Sequence, residues 1–227
     1  MILEAGFPGS SLDWTRVQPA FAKFTRVCSY DRAGFGWSDL HEPPRSAVQI
    51  AEELHLLLSN AAVPGPYVLV GHSMGGLYSR AFVRKFPESV VGLVLVDATH
   101  EDQWDFEPTV YWRFEQPIVQ IPHPPVERPP DVAAILREMW ATDKWNAGER
   151  RERDSIGATI ADAQNNRRRL PPIPLVVLSA GAEIRWNDGA TAGALKSQQL
   201  QRELAALSPF GKWVPVPGIC INRNRPR

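Results

Sequence analysis

The chain has 227 residues, with 25 Lys and Arg against 25 Asp and Glu, so its formal net charge is zero, and 44% of its residues are apolar. This composition is typical of a folded globular protein, and it excludes the electrostatic attraction of a basic protein to nucleic acid or to an anionic membrane. The apolar runs are far shorter than the roughly 20 residues of a membrane-spanning helix. We therefore expect a small-molecule partner, with no nucleic acid and no membrane.

The start of the chain and its cysteines bear on location and cofactors. Residues 1–6 contain no charged leader, apolar segment or cleavage site, so no export signal is predicted and the expected location is cytoplasmic. Cys28 and Cys220 lie far apart in the sequence, which suits neither a disulfide framework nor a four-ligand zinc site. We expect two free thiols, no metal and no other cofactor.

Short apolar or β-branched runs are the predicted strands. Near-continuous apolarity over a few residues is typical of strands buried on both faces, as in a parallel sheet. The runs cover 1–5, 24–30, 67–71, 90–96, 175–178 and 212–216.

Helical patterns lie between these runs. Ser46 and Gln49 form a predicted capping box at the start of an amphipathic helix that reaches residue 58. Further helices are predicted over 74–86 and 195–207. Strands that alternate with helices predict an α/β fold.

Residues 98–173 differ from the rest of the chain, because they hold 9 of the 21 prolines and 4 of the 8 tryptophans and lack clear strand runs. We predict an inserted helical cap there, with the core formed by 1–97 and 174–227. Asp131 is the predicted N-cap of one cap helix. The large apolar side chains of the cap line either a substrate pocket or the cap's own core; they are Trp104, Phe106, Trp112, Met139, Trp140 and Trp145.

Residues 71–75 read G-H-S-M-G and match the pattern G-x-S-x-G, with Ser73 at the centre. The pattern alone is common by chance. Here, however, it follows a predicted strand and begins a predicted helix, as a nucleophile elbow requires. Gly71 and Gly75 would let strand and helix approach closely and leave the hydroxyl exposed. A glycine-rich turn with a capping serine is the alternative.

Two further motifs occur in the order in which the α/β-hydrolase family has them. Together with residues 71–75, they make the chain resemble this family along almost its whole length. Residues 4–10, E-A-G-F-P-G-S, resemble the family's oxyanion loop, usually H-G-F-P-G, with Ala5 in place of the histidine. Residues 30–38, Y-D-R-A-G-F-G-W-S, resemble its D-x-x-G-x-G-x-S segment. The resemblance implies a three-layer α/β/α sandwich with a mostly parallel sheet, in which about six of the usual eight strands remain.

The resemblance also implies a reaction. Ser73 would be the nucleophile, and the backbone N–H groups of Phe7 and Met74 would form the oxyanion hole. Relatives that open epoxides or displace halide use an aspartate nucleophile, so a serine favours acyl transfer. The expected substrate is a small apolar ester or a related acyl compound, hydrolysed through an acyl-enzyme.

The acid of the implied triad has more than one candidate. The family's chain order is serine, acid, histidine, and Asp97 directly follows the strand run 90–96, so it is the first choice. Glu183 or Asp188, in the loop after the next strand, is the alternative, although that loop lacks the usual G-x-x-D spacing. A purely structural role for all three remains open.

The histidine is missing where the resemblance places it. Residues 218–227 read G-I-C-I-N-R-N-R-P-R in place of G-x-G-H and its usual tail, and residue 1 already lies in the family's third strand, so both ends are expected to be cut. His72 is expected to pack in the turn, because adjacent side chains on a sharp turn point apart. His100 is the best surrogate, whereas Cys220 cannot act as the base because an ordinary thiol is mostly protonated at neutral pH.

The incomplete triad leaves two functional readings. We predict an esterase-like serine hydrolase with very low activity, because losing a triad serine or histidine costs about 10⁶-fold in turnover in a well-studied protease. The alternative is a catalytically silent relative that binds a ligand or a partner in the same pocket.

Overall fold

Six strands form one central sheet in the computed structural model, which describes residues 1–103, 129–180 and 191–216. They lie in the order β2-β1-β3-β4-β5-β6, and every neighbouring pair is parallel. The strands are β1 (Ile2–Glu4), β2 (Cys28–Ser29), β3 (Tyr67–His72), β4 (Val90–Val96), β5 (Leu175–Ala180) and β6 (Gly211–Val216).

Helices connect these strands. The α-helices of the described ranges are α1 (Gln18–Phe21), α2 (Ala47–Asn60), α3 (Gly75–Lys85), α4 (Pro130–Trp140), α5 (Asp143–Asp154), α6 (Ile156–Asn165) and α7 (Thr191–Ala205). Short 3-10 helices cover Ser11–Trp14 and Pro87–Ser89. No helix in the part of the chain described here is long and apolar enough to cross a bilayer.

The predicted α/β/α fold with a parallel sheet is confirmed, and each predicted strand run contains a strand. Only the run 24–30 is much longer than its strand β2. Phe24 and Thr25 donate their backbone N–H groups to the carbonyl of Phe21, at 2.9 and 3.1 Å, and so stay in the turn after α1. Local hydrogen bonds therefore shorten this strand at the edge of the sheet.

The helix predicted to begin after Ser46 is confirmed as α2, but only one of the two hydrogen bonds of its predicted capping box is present. The Ser46 hydroxyl accepts a hydrogen bond from the backbone N–H of Gln49 at 3.4 Å, which satisfies one of the free donors of the first turn. The Gln49 side chain donates to Glu53 at 3.3 Å. The buried stripe of α2 consists of Ala47, Ile50, Ala51, Leu54 and Leu58.

The predicted cap of α4 is wrong. Asp131 lies inside the first turn, and Pro129 is the N-cap residue, with Pro130 at the first helical position. Proline suits that position, because its fixed φ is helical and the N–H that it lacks would have no partner there. The Asp131 carboxylate still lies where the helix dipole favours a negative charge.

The central strands of the sheet are largely buried on both faces, as the sequence predicts, whereas the edge strand β6 is partly exposed. Leu69, Leu93 and Leu95 belong to a large core with α2, α3, α6 and α7, whereas Val70 and Val94 pack in a second cluster around Trp14. Since successive side chains of a strand point to opposite faces, these neighbours mark the two layers. The carboxyl edge of β3 and β4 is thereby held rigidly between them.

Helices α4, α5 and α6 lie between β4 and β5, so the inserted helical cap is confirmed. Its division from the core at residues 98 and 173 remains a prediction. Helix α6 also contributes Ile156, Ile160 and Ala163 to the large core, so the cap and the core are packed together. Trp104, Phe106 and Trp112 lie outside the described residues.

Candidate active site

Ser73 lies on the sharp turn between β3 and α3. Its φ is +50°, a left-handed conformation that residues with a side chain rarely adopt. A Cβ on Gly71 would lie 2.5 Å from the carbonyl oxygen of Gly75, and one on Gly75 would lie 2.5 Å from the carbonyl oxygen of Glu4. Both glycines are therefore required for the close approach of strand and helix, as the motif predicts.

Asp97 occupies the equivalent position at the end of the neighbouring strand β4, and its φ is +44°. Backbone hydrogen bonds join the two strand ends: Ser73 N–H donates to the carbonyl of Val96 at 3.2 Å, and Thr99 N–H donates to the carbonyl of Ser73 at 3.0 Å. Asp97 N–H donates to the carbonyl of Leu178 in β5 at 2.7 Å. Ser73 and Asp97 are thus brought to one edge of the sheet.

A cavity of about 330 Å³ opens beside Ser73. Its wall is largely apolar and combines the loop after β1, the 3-10 helix with the residues after it, the turn at Ser73 and the cap. The lining residues are 5–9, 12–17, 72–73, Val96, Leu136, Trp140 and Trp145. Phe7 is among them, whereas the Met74 side chain is buried in the large core.

Arg32 holds the loop that begins this wall. Its guanidinium donates to the backbone carbonyls of Ala5 and Gly6 at 2.8 and 3.0 Å, and to the Glu4 carboxylate at 2.8 Å. The other side of the same guanidinium binds Glu152 of α5. One buried side chain therefore positions the predicted oxyanion loop and attaches it to the cap.

The two carboxylates that bind Arg32, those of Glu4 and Glu152, are both buried. Burial raises the pKa of Glu4 to about 7 and Glu152 adds to the increase, while Arg32 and a hydrogen bond from Tyr30 oppose it. Burial alone would lower the pKa of Arg32, but Glu152 and Glu4 raise it well above its ordinary value, so the guanidinium is charged.

His72 lines the same cavity as Ser73. The imidazole Nδ1 and the Ser73 Cβ each lie 3.1 Å from the point that a Cβ on Gly6 would occupy. His72 is exposed as a residue, and the protein packed around its ring desolvates it enough to lower its pKa. The charges of Asp97 and Asp13 oppose that shift.

His100, the surrogate suggested by the sequence, is placed elsewhere. Its side chain is buried and is not part of the cavity wall. Nδ1 accepts the backbone N–H of Asp102 at 3.1 Å, and Nε2 lies 3.6 Å from the Glu203 carboxylate. Burial lowers the pKa of His100, so this histidine is a neutral link between α7 and the segment after β4.

The residues around His100 include enough carboxylate and imidazole groups to be considered as ligands of a metal ion. Ligand atoms of His100, Asp102 and Glu203 lie within 4.8 Å of one another. However, the hydrogen bond to Nδ1 leaves the ring proton on Nε2, which faces Glu203, and Asp102 is paired with Arg167. A metal ion would have to break both arrangements, so the residues suit a hydrogen-bonded network better than a metal.

Glu183 and Asp188, the alternative candidates for the acid, lie outside the described residues, as do His123 and Cys220. Cys28 is a free thiol. Sequence reasoning missed Glu152, because nothing in the charged run 149–154 distinguishes the buried carboxylates from the exposed ones.

Comparison with known proteins identifies the family. A profile described as alpha/beta hydrolase fold matches residues 1–120, more than half of the chain. The chain therefore belongs to the α/β-hydrolase fold family, as its three motifs indicate.

Curated relatives are much longer proteins. An uncharacterized protein of Schizosaccharomyces pombe is 45% identical over 82 residues, which is 36% of this chain and 15% of that protein. A probable transporter of Hormonema carpetanum, efuK, is 36% identical over 128 residues, which is 55% of this chain and 18% of that protein. The chain thus matches less than a fifth of the length of either relative.

Solved structures share the fold at low identity. The epoxide hydrolase CorEH, without ligand, superposes with a TM-score of 0.67 at 14% identity, over 95% of this chain and 82% of that chain. A thermophilic esterase from Thermogutta terrifontis, with malate bound, superposes with a TM-score of 0.65 at 22% identity, over 95% and 80%. These hydrolases share the architecture while differing in the reaction that their names state.

Proposed function

We propose that this chain is an esterase-like serine hydrolase in which Ser73 attacks the acyl carbon of a small apolar ester. The observation that carries the proposal is the position of Ser73, which is held at positive φ on the wall of a largely apolar cavity. Backbone strain of this kind is typical of functional residues. A cavity of this volume suits a small ligand.

The proposed chemistry assigns a role to each residue around the serine. The Ser73 Oγ bonds to the carbonyl carbon, and the backbone N–H groups of Phe7 and Met74 stabilise the negative oxygen that forms. Asp97 takes the role of the triad acid and supplies a negative charge close to the serine. The alcohol leaves, and water then hydrolyses the acyl-enzyme.

An ester fits this residue set better than an epoxide does. Ring opening by a serine would leave a stable ether, whereas opening by an aspartate leaves an ester that water can cleave. With Ser73 at the turn, only acyl transfer regenerates the enzyme. We expect slow turnover, because the sequence has no histidine after His123 to complete the triad.

The test measures Ser73 directly. The wild type is incubated with a fluorophosphonate probe and with p-nitrophenyl butyrate, beside Ser73→Ala and the matched control Ser59→Ala, whose serine is exposed on α2. We expect probe attachment at Ser73 by peptide mass spectrometry, ester cleavage above the Ser73→Ala level, and no effect of the control. Equal cleavage by wild type and Ser73→Ala, with Ser73 unlabelled, would overturn the proposal.

A ligand-binding protein without catalysis is the second candidate. It is favoured by one observation: Asp97 is not among the described residues that line the cavity, although Ser73 is. Saturable binding of p-nitrophenyl butyrate to an unlabelled wild type would support this alternative. The cytoplasmic location remains a prediction.

A further inference from the structure

We infer that His72 is the proton acceptor for Ser73 in this chain, so that the residue next to the nucleophile performs the step left without its usual histidine. This inference rests on the function proposed above and adds a catalytic residue to the same site.

The geometry places the imidazole beside the serine. His72 is the last residue of β3, and the positive φ of Ser73 bends the chain directly after it. Nδ1 and the Ser73 Cβ each lie 3.1 Å from one point at Gly6, so they are at most twice that distance apart. The two side chains make no direct hydrogen bond in the described structure, so the proton passes through one bridging water molecule or after a rotation of the Ser73 side chain.

The other histidines of the described segments are occupied elsewhere. His41 is exposed on a loop, where Nδ1 lies 3.0 Å from the carbonyl oxygen of Glu42. His55 stacks on Phe86 with 4.0 Å between the ring centres. His100 is buried in its network with Asp102. Of these four, His72 alone lines the cavity with Ser73.

The charges around His72 suit a proton acceptor. Partial desolvation lowers the pKa of His72 below its ordinary value, so the ring is neutral at neutral pH and can take a proton. Asp97 and Asp13 both act on the ring in the opposite direction and stabilise the imidazolium once it forms. The Asp13 carboxylate is held in place by the capping box of the 3-10 helix, where it accepts the backbone N–H of Ser10 at 3.1 Å.

The O–H bond of Ser73 breaks as Oγ bonds to the acyl carbon, and the proton forms an N–H bond on His72. The carbonyl electron pair moves to oxygen and returns as the bond to the alcohol breaks, and His72 gives its proton to that leaving oxygen. In deacylation the ring takes a proton from water and returns it to Ser73.

The experiment compares rates of fluorophosphonate attachment at Ser73 in the full chain. The variants are His72→Gln, the matched control His41→Gln, His100→Gln and Ser73→Ala, each checked for folding by thermal unfolding. We expect His72→Gln to slow labelling about 100-fold, within the usual range of general-base catalysis, while both other histidine variants label at the wild-type rate. In the wild type, the labelling rate should rise with pH as His72 loses its proton. The rate should level off at a pH below the ordinary histidine pKa, because the pKa of His72 is lowered.

Three further outcomes decide the inference. Added imidazole should restore labelling to His72→Ala, which a purely structural role would not allow. Labelling of His72→Gln at the wild-type rate would overturn the role of His72 and leave the nucleophile intact. A wild type that is never labelled at Ser73 would instead overturn the proposed function itself.

Discussion

Arg32 and Glu152 form a buried, bidentate ion pair across 120 positions of sequence: Nε donates to one carboxylate oxygen at 3.0 Å and Nη2 donates to the other at 2.8 Å. The pair joins the segment after β2 to α5 of the cap. Tyr78 of α3 donates to the same carboxylate at 2.9 Å, so three parts of the fold meet at one group.

Removing the charge of Glu152 should therefore destabilise the protein. In Glu152→Gln an amide of the same shape replaces the carboxylate and leaves Arg32 with a single buried counter-ion, so we expect a loss of about 3 kcal/mol in the free energy of unfolding. Urea unfolding measures it. Glu138→Gln, at an exposed position of α4, is the control and should change stability by less than about 0.5 kcal/mol. A similar change in both variants would contradict this account.

Glu4 should make stability depend on pH. Its pKa is about 7 in the folded protein and near the ordinary value of 4.5 when unfolded, so the folded state binds more protons between these values. The Glu4 contribution to the free energy of unfolding is therefore fully present below about pH 4.5, and it is lost as the pH rises to about 7. Glu4→Gln should remove this decrease in urea unfolding measured from pH 5 to 8.

The comparison with Glu4→Gln also separates Glu4 from the histidines. His72 and His100 have lowered pKa values, so their protonation favours the unfolded state and gives the opposite slope in the acidic range. Both histidines are present in both proteins, and the difference between the two curves isolates Glu4. A difference that stays constant with pH would contradict the raised pKa.

Arg80 and Glu101 form a second buried ion pair, at 2.7 Å, between α3 and the segment after β4. Nε and Nη1 of Arg80 have no hydrogen-bond partner, so this guanidinium depends on Glu101. Glu101→Gln should cost about 3 kcal/mol, and the double variant Arg80→Met/Glu101→Leu should recover most of it, because no buried charge is then left unpaired. Chemical unfolding of the variants decides this; a double variant less stable than Glu101→Gln would argue that the pair itself is required.

Trp140 should limit the length of the acyl chain, if esters bind in the cavity as proposed. Its ring lies on the cavity wall near Trp145, with 6.5 Å between the ring centres. Trp140→Ala should raise kcat/KM for p-nitrophenyl octanoate relative to the acetate by about tenfold, since added space favours extra methylenes. Trp37→Ala removes a tryptophan that is 62% exposed and should leave the ratio unchanged. An unchanged ratio in Trp140→Ala would place the acyl chain elsewhere.

Local patterns in the sequence were sufficient for much of the fold. Apolar runs marked the strands, because a parallel sheet buries both faces of each strand, and the spacing of small residues marked the turn at Ser73. The N-cap of α2 was also predictable, since Ser46 and Gln49 are neighbours in the chain. Such features depend on residues a few positions apart.

Other features depend on tertiary contacts and were not predictable. Glu152 looks like any other charge on a polar helix until the fold brings it to Arg32. The contact of His72 and Ser73 with the loop after β1 depends on the missing side chain of Gly6, since a Cβ there would lie 3.1 Å from both residues, and no local pattern reveals this. The alternatives for the acid stay open, because the loop with Glu183 lies outside the described residues.

The left-handed backbone at both Ser73 and Asp97 has a consequence for protein engineering. Glycine adopts this conformation without strain. Replacing Ser73 or Asp97 with glycine should therefore increase the free energy of unfolding by up to about 1 kcal/mol. Directed evolution with heat resistance as the only selection should therefore enrich glycine at two of the positions that the proposed chemistry needs. A library selected in this way would become more robust as it lost its nucleophile, so screens on this protein should couple survival to probe labelling.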